Sequence, residues 1–131
     1  MTRLLFIWFG GCTLLLGCLS ARESFCAKKY MNAHKLIYID NGRLTEKYFL
    51  VQDSLQFEFS GNTLYSESKI IWNTCNSYSL VIKKIYYEGD GLRPGDTLVV
   101  GVQSFNKDTI TCIASAHNYS FSIKLLKSTV Q

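Results

Sequence analysis

Short strand-like runs separated by tight turns dominate this chain, at intervals of roughly 10 residues. The clearest case is LIYIDNGRLTEKYFLV, in which Asn41-Gly42 lies between two such runs. This dipeptide readily takes the positive φ angles of a type I′ hairpin turn. The segment GDGLRPGD, residues 89–96, is a longer loop. The connections are too short for crossover helices, so neighbouring strands are expected to pair antiparallel.

Strict alternation of residue types assigns the side chains of several runs to faces. In SLQFEF, one face holds Leu55, Phe57 and Phe59, and the other holds Gln56 and Glu58, which predicts a half-buried strand. Leu98, Val100 and Val102 are expected to share one face. Two further sets are each expected to share an inward face: Ile110, Cys112 and Ala114; and Tyr119, Phe121, Ile123 and Leu125.

Together these patterns predict an all-β domain, an antiparallel meander of about eight strands that forms a small closed or partly closed barrel. A two-sheet β-sandwich is the alternative. An eight-stranded barrel has an interior just large enough to be filled by side chains or to hold one small ligand. We find no convincing helical periodicity after the N-terminal segment, and no linker that would divide the chain into two domains.

The N-terminal residues have the composition of an export signal. Arg3 precedes an apolar run from Leu4 to Leu16, about 13 residues long, whereas a membrane-spanning helix needs roughly 20. The residues LLGC at positions 15–18 resemble the lipobox of bacterial lipoproteins, in which the cysteine is acylated and becomes the first residue of the mature chain.

This resemblance implies a signal helix over residues 1–17, which is removed, and lipidation of Cys18. Residues 18–25 would then form a short tether, and residues 26–131 a single β domain. Cleavage after Ala21, which would give a soluble secreted or periplasmic protein, is the alternative. The lipid chains would hold the protein at the cell envelope, and Leu19 after the cysteine favours the periplasmic face of the outer membrane.

Cys26, the segment IIWNTCNSYSLVI and the segment LRPGDTLVVGV are similar to those of small secreted or lipid-anchored proteins of the Bacteroidota. The resemblance implies a β-rich envelope protein and no particular chemistry. Tripeptides of the form Asp-Ser/Thr-aliphatic also resemble the O-glycosylation sites of exported proteins of that group. Thr97 and Thr109 are the candidate acceptors, although Asp followed by Thr is also ordinary at a turn that leads into a strand.

Cysteine usage predicts one disulfide. With Cys12 removed and Cys18 acylated, Cys26, Cys75 and Cys112 remain in an oxidising compartment. Cys112 alternates with apolar inward residues, where a free cysteine behaves as a small hydrophobe. Cys26 lies near the start of the mature chain and Cys75 in a turn, so these two are the expected pair.

The residues offer no catalytic or metal-binding pattern. His34 and His117 stand alone, and neither C-x-x-C nor H-x-x-x-H spacing occurs, so we expect no metal, cofactor or catalytic residue. Lys and Arg number 14 against 10 Asp and Glu. These cations are scattered rather than clustered, which argues against nucleic-acid binding.

Two functional hypotheses follow. The first is a non-enzymatic envelope lipoprotein that binds a small apolar ligand or a protein partner, with Trp72, Tyr86 and Tyr87 as candidates to line the ligand site. It predicts a cavity. The second is an envelope structural or interaction protein, or an inhibitor of a hydrolase, acting through the exposed loop 89–95. It predicts a solid core.

Overall fold

The computed structural model describes residues 25–87 and 91–128. Within them the elements are α1 Ala27–Met31, β1 Lys35–Asp40, β2 Arg43–Gln52, β3 Leu55–Ser60, β4 Thr63–Thr74, β5 Ser77–Ile85, β6 Thr97–Asn106, β7 Thr109–Ala116 and β8 Tyr119–Ser128. The expected signal helix, Cys18 and most of the tether lie outside the described residues. No helix in the described ranges is long and apolar enough to cross a membrane.

The eight strands form a closed antiparallel barrel in chain order. Closure is made by β1 and β8, which pair from Lys35 opposite Ser128 to Ile39 opposite Lys124. A two-sheet sandwich would lack this pairing, so the alternative prediction is excluded. Closure leaves no sheet edge exposed, which removes the surface through which open sheets aggregate.

Six of the seven strand connections consist of two residues, and residues 86–96 form the seventh. Asn41 and Gly42 have φ angles of 49° and 74°, which confirms the hairpin turn with two positive φ values. The turns at residues 41–42, 61–62 and 117–118 lie with the connection 86–96 at one end of the barrel, here called the open end. The other turns and α1 lie at the opposite, closed end.

The helix α1 covers the closed end. Its two buried residues, Ala27 and Met31, are one turn apart and both belong to the barrel core. The intervening Lys28 and Lys29 are exposed. Sequence periodicity missed this helix because five residues are too few to show a helical repeat.

The turn between β4 and β5 holds α1 in place. A disulfide joins Cys26 to Cys75, as expected. The Ala27 N–H donates to the Asn76 side-chain oxygen (2.8 Å), and the Lys28 N–H donates to the Cys75 carbonyl (3.0 Å). A helix N-terminus leaves its first N–H groups without intrahelical partners, and Cys26 supplies no side-chain cap. The turn therefore provides the cap that the helix sequence lacks.

Aromatic residues extend the contacts of this closed end. Phe25 stacks on Phe105 of β6 with the ring centroids 4.2 Å apart, and Tyr30 packs edge-on against the same ring at 4.7 Å. The Lys127 ammonium lies 4.2 Å from the centre of the Tyr30 ring. These contacts connect α1 and the residue before Cys26 to β6 and β8.

The interior half nearest α1 is packed solid. Its fully buried apolar residues come from α1 and several strands: Met31, Leu36, Val51, Ile110 and Leu125. The predicted inward set of Ile110, Cys112 and Ala114 is buried, as are Leu98 and Val100, while Val102 is partly buried against the core.

On β8 the predicted inward face is buried only toward the closed end. Leu125 is buried and Ile123 partly buried, but Tyr119 is 53% and Phe121 43% exposed. The strand begins at the open end, where inward-facing side chains meet solvent instead of a packed core. Tyr119 and Phe121 pair with the buried Ala116 and Ala114 of β7, so they share the predicted inward face but lie at its exposed end.

The strand β3 turns its polar face to the interior. Gln56 is only 2% exposed, whereas Leu55, Phe57 and Phe59 lie outside the buried core. Phe59 stacks on Tyr48 of the neighbouring strand at 5.0 Å. The alternation along SLQFEF is confirmed, but the face that one would assign to the core by hydrophobicity is the outer one.

Candidate functional site

A cavity of about 650 Å³ occupies the barrel between the packed half and the open end. It reaches the rim of that end, because Asp40 of β1, Ser60 of β3 and Leu92 of the connection 86–96 contribute to its lining. Its volume falls within the range of about 300–1,000 Å³ typical of small-molecule sites. The eight-stranded barrel therefore holds a ligand-sized space as well as a core.

The wall formed by β3 and β4 is polar. The paired strands place Glu58 opposite Ser66 and Gln56 opposite Ser68, and all four residues line the cavity. Gln56, Ser66 and Ser68 are also the buried polar residues of the described chain. Because buried polar groups need hydrogen-bond partners, their concentration on one wall marks a region built for polar contacts.

The Glu58 carboxylate is the centre of that wall. It accepts hydrogen bonds from the Tyr38 hydroxyl (2.6 Å), the Gln56 side-chain amide (3.1 Å) and the Ser66 hydroxyl (3.3 Å). Burial, together with the Glu58 charge and hydrogen bond, raises the pKa of Tyr38 well above 10.0. The Tyr38 phenol therefore remains protonated at physiological pH and serves as a donor.

The part of the lining formed by β5 to β8 is mainly apolar, and its polar members are Tyr78, the Cys112 thiol and the exposed Ser122 and Lys124. Its buried side chains are Tyr78, Leu80, Ile82, Leu98, Val100, Cys112, Ala114 and Leu125. Burial, with smaller contributions from Cys112 and Glu58, raises the pKa of Tyr78. The cavity is thus amphipathic, with one polar wall facing an apolar one.

Cys112 is the free cysteine of the described residues, and it is buried as expected. Burial raises the pKa of its thiol from 9.0 to about 11. A cysteine nucleophile reacts as the thiolate, which this environment disfavours. Its surroundings suit a packing role in the cavity wall.

The aromatic residues predicted to line a ligand site lie elsewhere. Trp72 packs near the disulfide end of β4, 4.8 Å from the Tyr78 ring. Tyr86 and Tyr87 follow β5 at the open end and are 51% and 52% exposed, with Tyr87 stacked on Tyr65. The cavity lining includes none of the three. Trp72 is on the packed side of the cavity. Tyr86 and Tyr87 follow the end of β5. Had β5 continued, its alternation would have turned one of the two tyrosines inward.

The remaining candidates lie at turns. Thr97 and Thr109 are the first residues of β6 and β7, and each follows an aspartate. The Asp96 carboxylate accepts a hydrogen bond from the Arg93 N–H (2.8 Å), as turn aspartates commonly do. Thr97 is exposed and Thr109 is partly buried. In the candidate loop 89–95, residues 89 and 90 lie outside the described residues.

The two histidines lie at opposite ends of the barrel. His34 precedes β1 at the closed end, where its ring nitrogen Nδ1 lies 2.7 Å from the Asn32 carbonyl. His117 lies in the turn between β7 and β8 at the open end. Within residues 25–87 and 91–128, no three His, Cys, Asp or Glu side chains are grouped closely enough to hold a metal ion.

Sequence reasoning missed Tyr38, Gln56, Glu58 and Ser66. A signal for the last three exists in the sequence, because Gln56 and Glu58 alternate on β3, and Ser66 and Ser68 alternate on β4. Two consecutive strands with polar residues at period two indicate a continuous polar face. In a closed barrel such a face can line the interior as readily as the surface.

Comparison of the chain with protein-family models, with curated proteins and with solved structures gave no match. The chemistry of the cavity is therefore the main guide to function. Its defining features are ligand-sized volume, access from the open end, and a polar cluster around Glu58 that faces an apolar wall.

Proposed function

We propose that this protein is a non-enzymatic binding protein of the bacterial cell envelope, which holds one small, largely apolar ligand inside its barrel. The observation that carries the proposal is the cavity of about 650 Å³ that opens at one end of the barrel. Small-molecule sites are typically concave, mostly apolar and equipped with a few polar groups that orient the ligand. This cavity has each of those properties.

The arrangement of the core also supports ligand binding over a purely structural role. A protein that acts through a surface loop has no need of a cavity, and empty apolar space in a core costs stability. Here Met31, Leu36 and Ile110 fill one half of the barrel completely, while the other half is left open. The open half is the half reached from solvent.

Filling the cavity with a larger side chain tests the proposal. Ala114 is buried in the cavity wall, and we expect Ala114→Trp to occupy ligand space. Forcing a ligand against extra side-chain volume costs about 1–3 kcal/mol, so affinity should fall about tenfold or more. The measurement is fluorescence titration with the neutral apolar dye N-phenyl-1-naphthylamine, which we expect to bind the unaltered protein at one site.

Ile113→Trp is the matched control. Ile113 precedes Ala114 on β7, is 39% exposed and lies outside the cavity lining, so its replacement should leave dye affinity unchanged. Thermal unfolding of both variants establishes that they fold. Equal loss of affinity in the two variants, or a lack of dye binding by the unaltered protein, would argue against a ligand site in the barrel.

We further propose that a lipid on Cys18 tethers the barrel to the outer membrane, on its periplasmic face. The LLGC sequence at residues 15–18 supports this location. α1 begins at Ala27 on the closed end, so a tether that enters there leaves the open end facing away from the anchor. Ligand access would then be unobstructed by the membrane.

Intact-mass analysis of the protein from membrane and soluble fractions of a Gram-negative host tests the anchor. We expect a membrane-bound chain that begins at Cys18 and carries acyl groups, because several acyl chains bind a bilayer stably. Cys18→Ser should abolish acylation and release the protein from the membrane. A soluble unaltered chain that begins at Arg22 would contradict the anchor and leave the barrel proposal untouched.

A further inference from the structure

The polar wall contains an unsatisfied acceptor. The side-chain oxygen of Gln56 is buried and has no hydrogen-bond partner among the described residues, although the residue is only 2% exposed. The orientation of the amide follows from its neighbour. A carboxylate only accepts hydrogen bonds, so the amide nitrogen must face Glu58 and the oxygen is left over. An orphaned acceptor that lines a cavity indicates that a donor comes from outside the chain.

Glu58 lies beside this acceptor, and its hydrogen-bond network within residues 25–87 and 91–128 contains no positively charged partner. Its three donors are the uncharged side chains of Tyr38, Gln56 and Ser66. A carboxylate that is partly withdrawn from water is stabilised most by a cation, since charge-assisted hydrogen bonds are roughly twice as strong as neutral ones.

The other charged residues of the lining are exposed, and their formal charges sum to zero. They are two acids, Asp40 and Glu46, and two lysines, Lys47 and Lys124. Among the described residues, Glu58 is the acid of the lining that is not exposed, and apolar Leu80, Leu98 and Val100 of β5 and β6 line the same cavity. The interior offers negative charge and acceptors on one side and hydrocarbon contact on the other.

We infer that the ligand of the cavity is a cationic amphiphile, an apolar molecule with a primary amine head that donates to the Glu58 carboxylate and to the Gln56 side-chain oxygen. An ammonium group carries three donors and no acceptor, which matches two adjacent acceptors. Its apolar body would lie against β5 to β8. This inference rests on the proposed function, because it specifies the chemistry of a ligand in the same cavity.

A series of ligands with the same chain and different heads tests the inference by calorimetry on the purified protein. The probes are octylamine, 1-octanol and octanoate. We expect octylamine to bind about tenfold more tightly than 1-octanol, and octanoate to bind least, because only the amine forms a charge-assisted hydrogen bond to Glu58. This comparison requires no mutation, so it remains decisive if a variant fails to fold.

Variants then locate the head-group site. Glu58→Gln keeps the size of the side chain and removes its charge, and we expect it to abolish the preference for octylamine while 1-octanol affinity changes less than about threefold. Glu67→Gln is the matched control, since Glu67 lies on β4 next to Ser66 and Ser68 but outside the cavity lining. It should retain the preference for the amine.

The outcomes separate this inference from the proposed function. Tighter binding of octanoate than of octylamine would overturn the inference and assign the head-group site to Lys47 or Lys124, with ligand binding intact. An amine preference that survives in Glu58→Gln would also overturn it. If neither the octyl compounds nor N-phenyl-1-naphthylamine binds, the barrel is not a ligand site and both proposals fail.

Discussion

Replacing both Cys26 and Cys75 by alanine is expected to lower the free energy of unfolding by about 4 kcal/mol. The disulfide links residues separated by 49 positions, which encompasses α1 and the first four strands. Without the disulfide, the unfolded chain regains the conformational entropy of a long loop. The resulting loss of stability grows with the logarithm of loop length. The folded state is affected too, since a five-residue helix cannot persist without tertiary contacts.

Urea denaturation of the double variant measures this effect, and reduction of the unaltered protein should reproduce it. Cys112→Ala is the matched control because it also removes a thiol but leaves the disulfide in place. We expect the free energy of unfolding of that control to fall by only about 1 kcal/mol, because loss of the sulfur atom leaves a small cavity. A double variant that unfolds within about 1 kcal/mol of the unaltered protein would contradict a stabilising role for the disulfide.

Met31→Ala is expected to destabilise the protein by about 3 kcal/mol, the second largest effect. Met31 is fully buried, and it extends from α1 into the closed half of the barrel. Truncation leaves a cavity beneath the helix, where the surrounding strands are held by their hydrogen bonds and can collapse only partially. The Tm should fall by more than about 10 °C in a domain of this size.

Lys29→Ala tests whether this loss arises from packing. Lys29 lies two residues before Met31 on the same helix but is exposed, so we expect its replacement to change stability by less than about 0.5 kcal/mol. Thermal unfolding by circular dichroism compares both variants with the unaltered protein. Similar melting of all three would mean that α1 contributes little to closure of the barrel.

The strands and turns were predictable because their determinants are local. Asn41-Gly42 adopts positive φ angles at little steric cost, so a hairpin follows whatever surrounds it. The alternation along β7 identified Ile110, Cys112 and Ala114 as one buried face. Short connections then left antiparallel pairing as the only option for neighbouring strands.

The disulfide was predictable by elimination. Cys112 alternates with apolar residues inside a strand, which accounts for one of the three cysteines of the domain and leaves Cys26 and Cys75 as the pair. The helix α1 was not predictable, because a single turn has no period to detect and its cap comes from the β4–β5 turn, 49 residues away. Its stability depends on contacts made after the barrel forms.

The ligand site shows most clearly the difference between what the sequence predicts and what it does not. Amphipathic aromatic residues suggested Trp72, Tyr86 and Tyr87, but membership of the cavity wall depends on depth within the barrel and not on residue type. Gln56 and Glu58 were assigned to the face opposite the aromatic residues of β3. That face proved to be the interior, where Gln56 and Glu58 pair with Ser68 and Ser66 of β4.

By itself, the sequence determined the all-β class, the approximate number of strands and the Asn41-Gly42 hairpin turn, which follow from backbone preferences, and it indicated the cysteine pairing by elimination. Only the tertiary structure decided that β1 pairs with β8, that α1 covers one end, and that the polar face of β3 points inward. Alternation divides a strand into two faces without saying which is inside. Closure of the barrel makes that choice, because it encloses one face of every strand at once.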